Sequence, residues 1–411
     1  MDGGTAPRVL FVSGSIGLGH AKRDLAIVGE LRRLLPSVQV AWLAGDPARR
    51  VIEEAGETLL PEASQLPDET GTAEQSAQGA SMNIIRYLLR ARSAWKQTVS
   101  TFEKVTAEQA FDLVVGDETY EIEVALHKRP ELKRAPFTII FDFVGMDAMT
   151  RNPAERAMVY MWNRIWCGGP GGTRPPADQV LFIGEPEDVV DRPFGYRLPN
   201  RREYASRYYK FVGYVLGFDP TAYSDRVKLR RALGYDDRPL IVCSVGGTSV
   251  GADLLDRCAA AFPHIERQVP DVRMVLVCGP RIDPANVRAP SGVQVLGYVP
   301  RLHEHLAACD LAIVQGGGTT TLELSALRRP FIYVPLEGHC EQEVAVAGRV
   351  ARHRAGERLS YRQATPEVLA EHAVRLLGSV PDWPLIRTDG ARRAAQLIAE
   401  LLPSTSAALA A

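Results

Sequence analysis

The chain lacks the features that mark nucleic-acid-binding, secreted and membrane-spanning proteins. Its 411 residues include 48 Lys and Arg against 49 Asp and Glu, and the net charge of -1 leaves no basic excess for a nucleic acid. No window approaches the roughly 18 uninterrupted apolar residues of a membrane span, and the first residues show neither a basic stretch nor a cleavage pattern. We expect no nucleic-acid partner, no secretion signal and no transmembrane segment.

Cysteine is sparse, and its spacing does not suggest pairs. Six cysteines are scattered without a C-x-x-C pair, and several of them lie in or beside apolar, strand-like runs. This pattern is typical of reduced, buried thiols and predicts a cytoplasmic protein. The sequence also has no cluster of His, Cys and Asp at metal-ligand spacing, which predicts that no metal is bound.

The length and the order of apolar runs predict two domains. Single cores stop growing at roughly 250 to 300 residues, so 411 residues are enough for two. Strand-length apolar runs alternate with helical patterns in both halves, which predicts two doubly wound, Rossmann-like α/β domains. The predicted strands are 8–12, 38–43, 113–115 and 138–141 in the first half, and 240–245, 274–277, 293–296, 311–314 and 331–334 in the second.

Glycine and proline place the domain boundary near residues 211–220. We predict an N-terminal domain at 1–212, a C-terminal domain at 213–385 and a terminal helix at 386–411. Two insertions interrupt the first half, and a second substrate could be recognised there. One is a polar loop at 62–79 that leads to a helix from Met82, and the other covers 146–176.

The most informative segment is a glycine-rich turn between a strand and a helix. The strand at 311–314 runs into Gly316, Gly317 and Gly318, and Thr319 and Thr320 open the helix that follows. Such a turn presents free backbone N–H groups to a diphosphate. The segment therefore predicts a nucleotide-binding site.

Polar residues after this turn suit the sugar groups of a nucleotide sugar. Glu323 lies about one helical turn beyond Thr319, so its carboxylate can reach the hydroxyl pair of a ribose. Glu341 and Gln342 follow the next strand and suit neighbouring sugar hydroxyls. Phosphate, ribose and hexose groups would thus be bound within one βαβ unit.

Residues 310–346 resemble the nucleotide-sugar signature of GT-B glycosyltransferases, both the natural-product type and the peptidoglycan N-acetylglucosaminyl transferase type. The resemblance implies two Rossmann-like domains that face a cleft, with the donor bound by the second. Gln315 departs from it, because a His or Arg is usual at this position, and a neutral amide donor replaces the cation. The matching residues are Gly316, Gly317, Thr320, Glu323, Pro335, Glu341 and Gln342.

The same resemblance implies further donor contacts. Gly247 and Thr248 follow another predicted strand and would face the diphosphate, and Tyr298 and Val299 match the loop that binds the base. Plain turn geometry and core packing are the alternatives for these residues. The donor side has no Asp-x-Asp pattern, so helix dipoles and N–H groups would stabilise the leaving diphosphate without Mg²⁺.

The first half contains a second glycine loop, which ends in a histidine. Gly17 and Gly19 precede His20, and the loop resembles the Gly-x-Gly-His element in which several GT-B enzymes carry a base or an acceptor contact. A helix N-terminus lowers the proton affinity of an imidazole, which favours a neutral base. Asp117 is our candidate to orient His20, and Asp142 competes for that role. A capping His and helix N-cap carboxylates are the structural alternatives.

The acceptor side is less specified. Met158 and Trp162 lie at helical spacing in the second insertion, and they could line an apolar acceptor pocket or simply pack in the core. Arg86, Arg90 and Lys96 make a basic amphipathic stretch that could touch an anionic membrane, although a solvated charged face explains it better.

We therefore predict an inverting, metal-independent glycosyltransferase that moves a sugar from a UDP- or dTDP-linked donor to a hydroxyl of a small-molecule or lipid acceptor, for example a secondary metabolite. One alternative is a nucleotide-sugar hydrolase like that of pseudaminic acid synthesis, whose first loop also resembles Ile-Gly-x-Gly-His-x-x-Arg. The other is a catalytically silent nucleotide-sugar-binding partner. The sequence leaves the base, the sugar, the acceptor and the oligomeric state open.

Overall fold

The structure, a computed structural model, describes residues 6–14 and 16–403. The chain forms two compact units. The first takes in the chain up to Thr72, Ile85–Gly217 and the chain from Arg387 onward, and the second takes in Ala73–Ile84 and Phe218–Ile386. The short segment Ala73–Ile84 thus belongs to the second unit, although the sequence around it belongs to the first.

Strands and helices alternate from the start of the chain to Gly213. The elements are β1 (Arg8–Val12), α1 (Gly19–Leu34), β2 (Gln39–Leu43), α2 (Ala48–Glu54), α3 (Glu69–Ser76), β3 (Ala77–Gln78), β4 (Ser81–Met82), α4 (Ile84–Glu108), β5 (Leu113–Asp117), α5 (Tyr120–Lys128), β6 (Phe137–Phe141), α6 (Pro153–Trp166), β7 (Gln179–Ile183), α7 (Arg201–Tyr208) and β8 (Lys210–Gly213).

The sheet of the first unit is parallel throughout, in the order β2-β1-β5-β6-β7-β8. All residues of β5, β6 and β7 are buried, because helices cover both faces of the sheet. The strand order reverses between β1 and β5. Ligands of doubly wound sheets bind beyond the carboxyl ends of the strands at such a reversal. The residues after Val12 and at Asp117 occupy this position.

The second unit repeats this plan. Its sheet is also parallel, in the order β11-β10-β9-β12-β13-β14, and the order reverses between β9 and β12. The remaining elements are α8 (Arg226–Ala232), β9 (Leu240–Ser244), α9 (Asp253–Glu266), β10 (Arg273–Val277), β11 (Val293–Leu296), α10 (Leu302–Ala308), β12 (Leu311–Gln315), α11 (Gly318–Leu327), β13 (Phe331–Val334), α12 (Ala347–Arg352), β14 (Glu357–Arg358), α13 (Pro366–Leu376) and α14 (Gly390–Ala399).

The doubly wound fold predicted from the sequence is confirmed, and every predicted strand is present within two residues of its expected ends. The polar stretch at 62–79 is different, because the expected loop contains α3. This helix has no apolar stripe from which it could be predicted. At its start the Asp68 side chain accepts the Gly71 N–H (2.7 Å). The buried strand β7 was also missed.

The last helix completes the core of the first unit. Ala391, Ala394, Ala395 and Ile398 of α14 are buried and pack against α1, where Leu31 is fully buried. Small residues on one face allow the two helices to approach closely. No helix within the described ranges combines the length and apolarity that crossing a lipid bilayer requires.

Replacing Ile398 with alanine is expected to lower the free energy of unfolding of the first unit by about 2–4 kcal/mol, because it leaves a cavity in a fully buried position. Gln396→Ala, an exposed change on the same helix, should shift it by less than about 0.5 kcal/mol. Urea unfolding followed by tryptophan fluorescence measures both. Equal stabilities for the two variants would contradict the packing described here.

Candidate active site

The loop between β1 and α1 brings His20 to the end of β5. A Cβ on Gly14 would lie 2.9 Å from the Asp117 carbonyl oxygen and 3.3 Å from the His20 ring, so only glycine permits this approach. Gly17 has a φ of 78°, and its N–H donates to the buried Thr70 hydroxyl at 3.0 Å. Gly19 then begins α1, and His20 is its second residue. The glycines therefore fix where the imidazole stands.

His20, Arg23 and Asp117 form a buried cluster at the strand-order reversal. His20 Nδ1 lies 3.3 Å from Asp117 Oδ1. Arg23 binds Asp117 with two nitrogens, Nε at 2.6 Å from Oδ2 and Nη2 on Oδ1, and its Nη1 lies 2.6 Å from Asp142 Oδ2. Asp117 is thus the carboxylate that the structure places beside His20, whereas Asp142 contacts Arg23.

Arg23 Nη2 has two N–H bonds and three acceptor neighbours: His20 Nδ1 at 2.9 Å, Glu118 Oε1 at 3.3 Å and Asp117 Oδ1. If Nδ1 accepts from Arg23, the imidazole proton lies on Nε2. If Arg23 instead donates to Asp117 and Glu118, Nδ1–H is able to donate to Asp117, and Nε2 is a base. The arginine therefore governs which tautomer His20 adopts.

The cluster holds more carboxyls than its positive charge can balance. Burial alone would raise the pKa of Asp117, but Arg23 and then His20 hold that pKa well below its usual range. Burial and the charge of Asp142 raise the pKa of Glu118, whose backbone has a φ of 51°, uncommon outside glycine. Burial and the charge of Asp117 likewise raise the pKa of Asp24.

Of the two acceptor residues predicted on α6, Trp162 lines a cavity of the first unit. Met158 is half-buried, and the Trp162 ring stacks on Trp95 with centroids 5.4 Å apart. The cavity is lined by Trp162 and Trp166 and by Glu123, the pKa of which burial raises to about 8. The wall thus combines aromatic and aliphatic side chains with polar ones, and its Glu123 carboxyl stays largely protonated at neutral pH.

In the second unit, the triple-glycine turn lies between β12 and α11, at the strand-order reversal. A Cβ on Gly316 would come within 2.9 Å of Pro335 Cα, whereas Gly317, the N-cap of α11, faces open space. Gly318 starts the helix, and Thr319 and Thr320 of the first turn are half-buried. The first N–H groups of a helix have no partner within it and attract anions.

The structure uses the side chain of Gln315 within the protein. It is 6% exposed, and in the orientation that satisfies both partners its amide nitrogen donates to the carbonyls of Val245 (2.7 Å) and Val250 (3.2 Å). It therefore braces the loop after β9, which contains the half-buried Gly247 and Thr248. The Gln315 amide, predicted to contact phosphate, is therefore hydrogen-bonded within the protein instead.

The remaining donor residues surround the same turn. Glu323 is buried on α11, and a Cβ on Gly318 would lie 3.5 Å from Glu341 Oε1. Gln342 Oε1 accepts the Leu336 N–H at 2.9 Å, so this side chain also holds its own loop. Glu341 and Gln342 belong to a π-helical turn, a rare form that is frequent at functional sites.

Tyr298 and Val299, the expected base-binding pair, are both half-buried in the loop after β11. Val299 packs against the buried cluster around β9, β10 and β12. Tyr298 is therefore at the edge of the core. A side chain in that position can cover a ligand, whereas one inside the core cannot.

Sequence reasoning missed the charged residues that complete the first-unit cluster. The loop motif contains Arg23, but nothing assigned it a role, although it lies three residues after His20 and hence on the same helix face. Asp24 and Glu118 had no comparable signal. Ligand atoms of His20, Asp117 and Glu118 lie within 4.8 Å of one another, a spacing that could hold a metal ion, but the Arg23 guanidinium already contacts all three residues.

The two buried aspartates of this cluster should respond oppositely to neutralisation. Asp24 accepts the Ser13 hydroxyl at 2.6 Å, its other oxygen has no partner among the described residues, and its pKa is raised. Folding therefore takes up a proton at Asp24, and its contribution to stability falls as pH rises above about 4. Asp117 has a lowered pKa, so its contribution is present at neutral pH and is lost on acidification.

We accordingly expect Asp24→Asn to be at least as stable as the wild type at pH 8, with the advantage shrinking toward pH 5. Asp117→Asn should lose about 3 kcal/mol at pH 7, because a buried guanidinium is deprived of its main partner. Urea unfolding at several pH values measures both variants. Strong destabilisation by Asp24→Asn at pH 8 would show that this carboxyl is ionised.

Comparisons with known proteins concern the fold and the second unit. Residues 241–384 match the Glycosyltransferase family 28 C-terminal domain. An uncharacterized glycosyltransferase of Methanopyrus kandleri is 28% identical over 194 residues, which cover 47% of this chain and 54% of that protein. The match thus spans about half the length of that relative.

A longer match is to a UDP-N-acetylglucosamine--N-acetylmuramyl-(pentapeptide) pyrophosphoryl-undecaprenol N-acetylglucosamine transferase of Nocardia farcinica, 23% identical over 92% of this chain and 89% of that protein. Among solved structures, the glycotransferase of kitacinnamycin superposes with a TM-score of 0.60 at 17% identity, covering 97% of this chain and all (100%) of that one. The structural likeness concerns the fold. Residues 241–384 are therefore similar to a glycosyltransferase family 28 C-terminal domain, and the chain has the fold of two doubly wound units that GT-B glycosyltransferases share.

Proposed function

We propose that the protein is an inverting, metal-independent glycosyltransferase that moves a sugar from a nucleotide-diphosphate donor to a hydroxyl of an acceptor. The observation that carries the proposal is the placement of His20 against Asp117 at the strand-order reversal of the first unit. The second unit supports it with an open glycine turn and a helix N-terminus at its own reversal.

In this mechanism His20 Nε2 takes the proton of the acceptor hydroxyl. The acceptor oxygen attacks the anomeric carbon as the bond from that carbon to the diphosphate oxygen breaks, so the configuration inverts and the nucleoside diphosphate leaves. Asp117 holds Nδ1–H and stabilises the imidazolium that forms. The N–H groups of the first turn of α11, from Gly318 onward, and the dipole of this helix stabilise the new charge on the diphosphate.

For the donor we propose a UDP- or dTDP-linked sugar. The Nocardia farcinica relative is named for a UDP-N-acetylglucosamine donor, and its similarity extends along most of this chain. Buried Glu323 on α11 is our ribose contact, and Glu341 beside Gly318 is our contact to the sugar.

For the acceptor we propose a small or lipophilic molecule that carries a hydroxyl, such as a secondary metabolite or a lipid. The cavity at Trp162 and Trp166 supports this, because its wall suits an apolar or ring-bearing group. The relative from Nocardia farcinica is named for a pyrophosphoryl-undecaprenol acceptor, which is also lipophilic.

His20→Ala should reduce kcat by about 10²–10⁴-fold with donor and acceptor saturating, because a positioned general base contributes that much. The KM for the donor should stay within about threefold. Transfer is measured by mass spectrometry with UDP- and dTDP-sugars and a panel of hydroxyl acceptors. Wild-type-like turnover in a folded His20→Ala protein, judged by its thermal unfolding, would remove the base from the mechanism.

A hydrolase on the same scaffold is the second candidate, and the contact between Arg23 and His20 favours it. Ile16, Gly17, Gly19, His20 and Arg23 match the loop pattern of a nucleotide-sugar hydrolase, and Arg23 indeed belongs to the cluster. In that reaction His20 would deprotonate water instead of an acceptor. Release of free sugar without acceptor, at the rate of transfer or faster, selects the hydrolase.

Chelation provides a separate test of metal independence. The guanidinium of Arg23 contacts His20, Asp117 and Glu118, so it occupies the position between them that a divalent ion would take. We expect dialysis against EDTA to change the turnover by less than about twofold, and added Mg²⁺ or Mn²⁺ not to raise it. Loss of activity on chelation, restored by one of these ions, would contradict the proposal.

A further inference from the structure

The second unit contains a carboxylate that is held as a bound anion would be. The Ser249 N–H donates to Glu74 Oε1 at 2.7 Å. The Arg281 guanidinium forms an ion pair with the same carboxylate: its Nε lies 2.9 Å from both oxygens and its Nη2 lies 2.9 Å from Oε2. A backbone N–H and a forked guanidinium are also the groups with which proteins bind phosphate oxygens.

The two loops that hold Glu74 belong to the donor side of the fold. Ser249 directly follows Gly247 and Thr248 after β9, the strand at the order reversal, and Arg281 lies in the loop after the neighbouring β10. These loops touch, because a Cβ on Gly279 would lie only 2.2 Å from the Gly246 carbonyl oxygen. Arg281 is therefore anchored next to the glycine turn where the diphosphate is expected.

Arg281 also provides a positive charge on the donor side, where Gln315 stands in place of the His or Arg that is usual in the resemblance. Gln315 is neutral, and its amide is used to brace Val245 and Val250. Arg349 comes close to the other glycine turn, but its residue is 7% exposed and its Nη2 donates to the Gly318 carbonyl at 2.9 Å. The Arg281 side chain is 25% exposed and is paired with a carboxylate that a ligand can replace.

We infer that the Ser249 N–H and Arg281 bind the diphosphate of the donor, and that Glu74 occupies this anion site until the donor displaces it. The inference rests on the proposed use of a nucleotide-diphosphate donor. A diphosphate carries more charge and more acceptor oxygens than one carboxylate. It therefore displaces Glu74 when it also binds the N-terminus of α11. Arg281 thereby acts as a phosphate contact, and Glu74 sets a threshold for donor binding.

The Glu74 carboxylate can leave by rotation of its own half-buried side chain, while the chain around it stays anchored. Beyond it, Ala80 is buried in the core, and backbone hydrogen bonds join Met82 N to Glu337 O (2.8 Å) and Glu337 N to Ala80 O (2.9 Å). Between Glu74 and this anchor lies Gly79, with a φ of 58° and no heavy atom near its Cβ position. Ala73 and Ser76, which flank Glu74 in α3, are buried as well, so the helix stays in place when the carboxylate is displaced.

The test measures binding of UDP, TDP and uridine by calorimetry to the full chain and to three variants. Glu74→Gln keeps the shape and removes the charge, so we expect UDP or TDP to bind about fivefold more tightly, because less of the site is occupied. Arg281→Ala should weaken the same ligand at least tenfold, and Arg281→Lys less. Uridine has no phosphate, and its affinity should not change in any variant.

Arg362→Ala is the matched control, because Arg362 is 88% exposed and forms a surface ion pair with Glu337 in the same unit. It should bind UDP and TDP as the wild type does. Unchanged or weaker diphosphate binding by Glu74→Gln overturns the competition, and unchanged binding by Arg281→Ala overturns the phosphate contact. If uridine affinity falls in parallel with that of UDP, the variants act by distorting the fold, which also overturns the inference. Failure of the wild type and the control to bind either diphosphate overturns the proposed function itself.

Discussion

A parallel sheet whose strand order reverses has one place where the connections from two adjacent strands leave toward opposite faces, and the space between them stays open. This protein has such a place in each unit, between β1 and β5 and between β9 and β12. His20 and Asp117 follow the first pair of strands, and Thr248 and Gly317 follow the second. The chemistry of the chain is therefore located by sheet topology before any side chain is considered.

Within the first unit, the arrangement depends on how a single guanidinium is shared. Arg23 lies on the face of α1 that packs into the core. Its guanidinium donates to Asp117, Asp142 and Glu118 and also contacts His20. Because only part of the negative charge is balanced, the environment keeps Asp117 ionised and raises the pKa of Glu118. Neighbouring carboxyls are thus divided into a charged orienting group and an acid, a division that suits general base chemistry.

The sequence predicts the fold well, because buried parallel strands are continuous apolar runs bounded by glycine and polar residues. It also predicts that Asp117 lies at a strand end and that His20 lies where a glycine loop leads from a strand into a helix. It could not choose between Asp117 and Asp142, because strand neighbours are decided by the sheet and both aspartates end strands. Gln315 shows the same limit. Its contacts with Val245 and Val250 join residues about 65 to 70 positions apart, and no local pattern encodes them.

The position of α14 has a consequence for biosynthesis. The apolar surface of α1 is covered by α14, a helix that is made only after residues 218–386. A ribosome emits the chain from the N-terminus, and domains fold as units when they are complete. The unit whose sequence emerges first is therefore completed last, and its exposed helix surface must be kept from aggregating during most of synthesis.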